Sequence, residues 1–207
     1  MPVRLAEVVR ALPRHAHSLP RRMVQQSQRW RLLEAVVEVT ARVGYAAATV
    51  ADMIGVAGVS RKTFYEHFAD KEAAFLAAYD VVADRLIAAL VATGAAHADS
   101  DARRTAQVAR FLAILDRDHA VARVFMVDVQ GAGPAALRRR AAVNQRFAAA
   151  LFGDARVPEL RRDAVVGGVN QVVAAALLAP RVKSLGRLAT PLAAFVRAAL
   201  ARTSARS

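Results

Sequence analysis

Five residues punctuate the stretch from Gly44 to Asp70, and they restrict it to short helices joined by tight turns. A helical pattern starting at Gln25 places Trp30, Leu33, Val37, Thr40 and Ala41 near one face and runs out at Gly44, a residue that takes a helix-ending positive φ cheaply. Thr49, Ser60 and Asp70 each bring a side-chain oxygen to the free N–H groups of a helix start, and Gly58 supplies a second stop. The spacing therefore predicts helices over 50–57, with Val50, Met53 and Ile54 turned inward, over 60–68, and over 71–92. The last of these is marked by Phe75, Leu76, Tyr79, Val82, Leu86 and Leu90.

The segment VAGVSRKTFYEHF, residues 56–68, carries the chemistry. At 100° per residue, Phe64 and Phe68 lie within about 40° of each other, which puts Lys62 and Glu66 on the opposite face with Thr63 and Tyr65 flanking. One side anchors and the other is presented. Two short helices across a Gly-containing turn, the second bearing cations and hydroxyls, form a helix-turn-helix, whose second helix fits the major groove of DNA. Ser60 can offer its N–H and hydroxyl to a phosphate at a helix start, and Arg61 and Lys62 stand near base edges or flanking phosphates.

Composition agrees with helices throughout. The chain of 207 residues is 56% hydrophobic, and its β-branched and aromatic residues form no alternating runs. It has no Cys, which excludes disulfides, thiolate nucleophiles and Cys-based zinc sites and fits a reducing cytoplasm. No signal-peptide pattern is present, because Arg4, Glu7 and Arg10 interrupt the N-terminal apolar residues. The apolar run 164–180 is too short for a bilayer and holds Asn170 and Gln171 at its centre, so it reads as a buried helix rather than a membrane span.

The charge sits at the two ends. Residues 1–31 hold seven Arg against one Glu, and residues 181–207 hold six cations and no acid, together twelve of the thirteen net positive charges. A basic arm beside a basic short helix is the footprint of a polyanion binder. Residues 1–24, with Pro2, Pro13 and Pro20, read as a mobile arm, with a short helical piece at 3–12. His15 and His17 lack a third ligand nearby, so no metal site is expected, and no cofactor or catalytic motif is found. Beyond the polar break at 97–101, further helices are expected over 102–116, 119–129, 134–152, 158–179 and 184–203, with loops at 131–133 and 153–158.

The stretch Leu32 to Leu76 resembles the DNA-binding domain of the TetR family of bacterial transcriptional regulators. The resemblance rests on Gly44-Tyr45, Thr49-Val50, Ala57-Gly58-Val59-Ser60, Thr63-Phe64-Tyr65, His67-Phe68 and Asp70-Lys71-Glu72 in combination. It implies an all-α protein: an N-terminal three-helix helix-turn-helix domain and a C-terminal helical domain for ligand binding and dimerisation. It further implies that Thr49, Ser60, Thr63, Tyr65, His67 and Lys71 touch DNA, mostly phosphates, and that Arg61 and Lys62 help read sequence. Thr40 and Ile54 depart from the family's usual Phe and Ala, so packing between the first two helices must be redistributed. From the residues alone, Thr49 could be only a cap, Tyr65 could cover the first helix, and His67 could be partly buried structure.

The expected organisation is an arm (1–24), a helix-turn-helix domain (25–70) and a ligand-binding and dimerisation domain (71–207). Tyr79, Phe111, Phe125, Met126, Gln130, Phe147 and Asn170 are the candidate lining of a ligand pocket, an apolar cavity with a few polar groups being what a helical sensor uses. The implied partners are an operator in double-stranded DNA, a second copy of the chain, and a largely apolar small effector; no membrane is implied. Helices 158–179 and 184–203 would pair across the dimer, with Gly167 and Gly168 permitting close approach. A sequence-neutral DNA coater and a helical enzyme or carrier are the competing classes.

Overall fold

The computed structural model describes residues 20–153, 157–179 and 184–201, and the main chain alone at residues 200 and 201. The expectations for the arm before residue 20, for His15 and His17, and for the charges beyond residue 201 lie outside the described residues. Among the described residues every regular element is helical: α1 (Arg21–Ala47), α2 (Val50–Ala57), α3 (Arg61–His67), α4 (Lys71–Ala95), α5 (Ser100–Arg117), α6 (His119–Met126), α7 (Pro134–Phe152), α8 (Glu159–Leu178) and α9 (Ala189–Ala201). Two 3₁₀ turns, Asp128–Gly131 and Leu185–Leu188, complete the set. No described helix is long and apolar enough to cross a membrane.

The chain divides into two compact units, one ending at Val81 and the other beginning at Val82, so α4 contributes to both. In the first, α1 packs on α2 and α3 through a core that includes Leu32, Val36, Met53, Phe64 and Phe75, each fully enclosed. Thr40 is fully buried in place of an aromatic ring, and its hydroxyl oxygen finds no hydrogen-bond partner. Of the three residues expected inward on α2, Met53 is buried while Val50 and Ile54 are only partly covered; Ala57 joins the core instead.

Local chemistry sets the boundaries in this unit. Thr49 and Asp52 form a reciprocal capping box: Asp52 N–H donates to Thr49 Oγ1 at 3.1 Å and Thr49 N–H donates to Asp52 Oδ2 at 3.1 Å. The Thr49 hydroxyl, which donates to Asp52 Oδ2 at 2.6 Å, and then the Thr49 N–H hold the Asp52 carboxyl below its ordinary pKa. Gly58 closes α2 in the left-handed conformation at φ 61°, and Ala73 N–H donates to Asp70 Oδ1 at 2.7 Å to start α4. Two expectations need correction. Helix α1 starts at Arg21 rather than Gln25, directly after Pro20, whose fixed φ of −52° suits a helix entry. It also resumes for one short turn past Gly44, whose φ of 79° and ψ of 157° bend the chain without ending it.

In the second unit α5 packs on α9, α7 on α8, and α6 on α8. Helix α8 is not a membrane span: it buries Val165, Val166, Val169, Asn170, Val173 and Ala174 against its neighbours. The helices expected over 119–129 and 184–203 are each shortened by a 3₁₀ turn. At Asp128–Gly131 the chain tightens after Met126. At Leu185–Leu188 the Asp116 carboxylate accepts from Ser184 Oγ at 2.5 Å and from Leu185 N–H at 2.8 Å, pinning the turn to the end of α5. Burial alone would raise the Asp116 pKa, yet the bonds from Ser184, Leu185, His119 and Gly186 together bring it below the usual value.

Candidate nucleic-acid interface and interior cavity

Helix α3 has only seven residues, too few to persist alone, so its neighbours must fix it. From behind, Phe64 is fully buried and Phe68 nearly so, with ring centroids 5.8 Å apart. At its start the Ser60 hydroxyl accepts from Thr63 N–H at 3.0 Å and lies 2.9 Å from Thr63 Oγ1. Two arginines of α1 brace it from the side. Arg31 Nη1 donates to Gly58 O in the turn at 3.5 Å, and the Arg29 guanidinium stands 4.7 Å from the centre of the Phe68 ring. Sequence reasoning counts both arginines only toward the positive charge of residues 1–31; a spacing of 27 residues between Arg31 and Gly58 gives no local signal.

The opposite face is open. Arg61, Lys62 and Glu66 are exposed, and Tyr65 keeps 50% of its surface in solvent while its ring edge rests on Phe64 at 5.3 Å. Thr49 and Ser60 are also exposed, at the N-termini of α2 and α3, and Thr63 is partly covered. The structure thus places Ser60, Arg61, Lys62, Thr63 and Tyr65 on or at the start of one helix, and Thr49 at the start of the helix before it.

His67 and Lys71 are placed differently. His67 is half-buried and its Nε2 has no hydrogen-bond partner; desolvation, followed by the Arg29 charge, holds its pKa below the ordinary value. A depressed histidine pKa means that the unfolded chain binds the proton more readily, so stability falls as pH drops through about 6.5. The expected result is that the melting temperature falls more between pH 7.5 and about 5.5 in the wild type than in His67→Gln, followed by circular dichroism.

The Lys71 ammonium does not face outward. It donates to Tyr45 O at 3.0 Å, Ala48 O at 3.0 Å and Ala46 O at 3.4 Å, and sits 4.5 Å from the centre of the Tyr45 ring. Three hydrogens meet three carbonyls, so none is left for a phosphate while this clamp is closed. Burial, then the nearby Glu72 and Asp70 carboxylates, raise the Tyr45 phenol pKa and keep the ring neutral beneath the cation.

The second unit contains an apolar cavity of about 40 Å³, lined by residues that include Leu90, Gln107, Phe111, Phe147, Val166 and Asn170. Phe111, Phe147 and Asn170 were expected there. Phe125 is buried with its ring 6.0 Å from that of Phe147, and Met126 is buried, but neither lines this cavity. Gln130 is exposed, because it sits in the 3₁₀ turn after α6 and folds its amide back onto Met126 O at 2.8 Å. Tyr79 is buried in the first unit, its ring stacked 6.5 Å from Phe75. Gln107 lines the cavity and was not foreseen.

Paired short helices across a tight turn, with rings holding the second from behind and cations presented in front, define a helix-turn-helix DNA-binding protein. Residues 32–78 match the family model of the bacterial regulatory proteins of the TetR family. The chain thus carries a stretch similar to the DNA-binding part of that family's regulators. Its fold is similar to that of the fatty acid degradation regulator FadR from Bacillus halodurans, with 19% identity, a TM-score of 0.72, and coverage of 80% of this chain and 96% of that one. FadR from Bacillus subtilis in complex with stearoyl-CoA gives 18% identity with the same TM-score of 0.72 and the same coverage of 80% and 96%. A TetR-family regulatory protein from Rhodococcus RHA1 gives 17% identity and a TM-score of 0.64 over 84% of this chain and 96% of that one. No curated protein matches the sequence significantly.

Proposed function

We propose that the protein is a ligand-responsive repressor that binds a pseudo-palindromic operator as a homodimer and is released when a small, largely apolar molecule occupies the C-terminal unit. The observation that carries the reading is the division of α3 into a buried side, Phe64, and an exposed side, Arg61, Lys62 and Tyr65. In a two-fold dimer the paired α3 helices enter successive major grooves about 34 to 36 Å apart, or modestly further if more DNA is spanned. Arg61 and Lys62 read base edges or flanking phosphates, while Thr49, Ser60, Thr63 and Tyr65 fix the register on the backbone. His67 joins them if its ring swings outward on binding.

Operator sequences selected from a random pool by the purified protein test the reading. Lys62→Ala and Tyr65→Ala are each expected to weaken binding about tenfold at fixed salt, with fold and oligomeric state unchanged. Random DNA competing as well as the selected sequence would instead indicate a coater that reads only charge.

The dimer is supported by a groove of about 290 Å³ lined by Gly168, Val172, Leu188, Pro191, Leu192 and Phe195 on α8, α9 and the turn between them. Val172 is 42% and Phe195 45% exposed, and Leu178 on α8 is 61% exposed, more apolar surface than a solvated helix pair keeps. Gly168 already serves packing within the subunit, since a Cβ there would lie 3.3 Å from the Phe195 ring, whereas Gly167 has open space around it. Phe195→Asp is expected to give a folded monomer by light scattering and about a tenfold weaker operator complex. A dimer of unchanged stability would reject this face.

Release follows from linkage: an effector that prefers a dimer with misaligned α3 helices weakens DNA binding by the same free energy, typically about 1 to 3 kcal/mol. Helix α4 is the natural lever, because it begins at the Lys71 clamp and carries Leu90 on the cavity wall. The fold-level likeness to a regulator crystallised with stearoyl-CoA adds acyl thioesters to the effectors worth testing.

A further inference from the structure

Gln107 is the least expected occupant of the apolar cavity, being only 1% exposed. Its Nε2 donates to Leu90 O and to Ala150 O, both at 3.0 Å, which fixes the orientation of the amide. With both hydrogens committed, Oε1 is left with no hydrogen-bond partner in an enclosed setting. Such a group is costly to bury. The position is also built for: a Cβ on Gly94 would fall 2.6 Å from Gln107 Nε2, so only glycine there lets the amide reach the α4 carbonyl.

The other polar wall residue, Asn170, has its amide nitrogen bonded to Asn144 Oδ1 at 2.9 Å, and among the described residues no charged side chain lines the cavity. A carboxylate, phosphate or ammonium entering here would lose its water without gaining a counter-charge. A neutral donor would gain a partner and supply one to Gln107.

We infer that this cavity takes a neutral, chiefly apolar molecule carrying one hydroxyl or N–H donor, and that Gln107 is the specificity residue that accepts from it. The assignment rests on the proposed effector role of the cavity and narrows it. At about 40 Å³ the space admits a slim group first, so alkyl chains are the suitable probes.

Calorimetric titration of the full-length protein with 1-octanol, octyl methyl ether, octanoate and octanoyl-CoA tests it. The alcohol and the ether share an oxygen and differ in the donor. The expected result is about tenfold tighter binding of the alcohol than of the ether, with both anionic probes weaker than the alcohol. In Gln107→Met, which keeps length and loses the acceptor, the alcohol and ether should agree within about twofold.

Equal affinity of alcohol and ether for the wild type, or tightest binding of octanoate or octanoyl-CoA, overturns the assignment and leaves the effector role of the cavity standing. Donor-dependent binding of octanol without release of selected operator DNA has the opposite meaning: the ligand class holds and the effector role fails. Failure of all four probes to bind overturns both.

Discussion

Phe64→Ala is expected to abolish operator binding by destabilising the first unit about 3 to 5 kcal/mol, whereas Tyr65→Ala, one residue on, weakens binding with little change in melting temperature. Phe64 is fully buried between Phe68 and the edge of Tyr65, with centroid separations of 5.8 and 5.3 Å. Nothing local can replace it, since seven residues cannot sustain a helix and the Ser60 cap contributes about 1 kcal/mol. Set against a total stability of about 5 to 15 kcal/mol for a small domain, the loss leaves a large unfolded fraction or a disordered α3. Thermal denaturation by circular dichroism beside gel-shift titration separates the two variants. If Phe64→Ala bound the selected operator like the wild type, α3 would not be held from behind as described.

The contrast between neighbouring residues shows which parts of this protein can be read from its sequence. Thr49 with Asp52, Ser60 with Thr63, and Asp70 with Ala73 are partners three residues apart, so their chemistry is visible in any short window. The start of α2 at Val50 and of α4 at Lys71 follows directly. The anchor at Phe64 was equally legible, because helical periodicity is also local. What escaped was fixed by distant pairs. Arg31 meets Gly58 across 27 residues, and Gln107 meets Ala150 across 43. Periodicity marked Tyr79 as inward on α4 but could not say into which unit, and it packs with Phe75 in the first. Gln130 is absent from the cavity wall for a related reason: the pattern over 119–129 gave no sign that the helix would tighten into a 3₁₀ turn there. The cavity was legible only as a kind of place, apolar with a few polar groups; which residues share it depended on the register between helices.

Lys71 is where a family-based expectation and the geometry part, and its replacement gives the second large effect. In Lys71→Met the methylene stem is preserved while the ammonium is lost, leaving the carbonyls of Tyr45, Ala46 and Ala48 without their donor. Hydrogen bonds to a charged donor are worth about 1.5 to 3 kcal/mol, and the contact with the Tyr45 ring adds about 0.5 to 1 kcal/mol at a partly exposed site. These terms overlap, since one ammonium makes them all, so a net loss of about 2 to 3 kcal/mol is expected in chemical denaturation. If Lys71 acted chiefly by touching a phosphate, the variant would keep wild-type stability and lose only affinity, together with about one unit of the salt dependence of binding. If it is a clamp, stability falls first and the salt slope stays unchanged. The clamp also ties the beginning of α4 to the short turn beyond Gly44, the one place where α1 is bent. An effector acting through α4 would therefore need this tie to move α1 and α2. Lys71→Met is expected to leave probe binding at the cavity intact while reducing the ability of a bound effector to release DNA, and an undiminished release would show that the signal travels by another route.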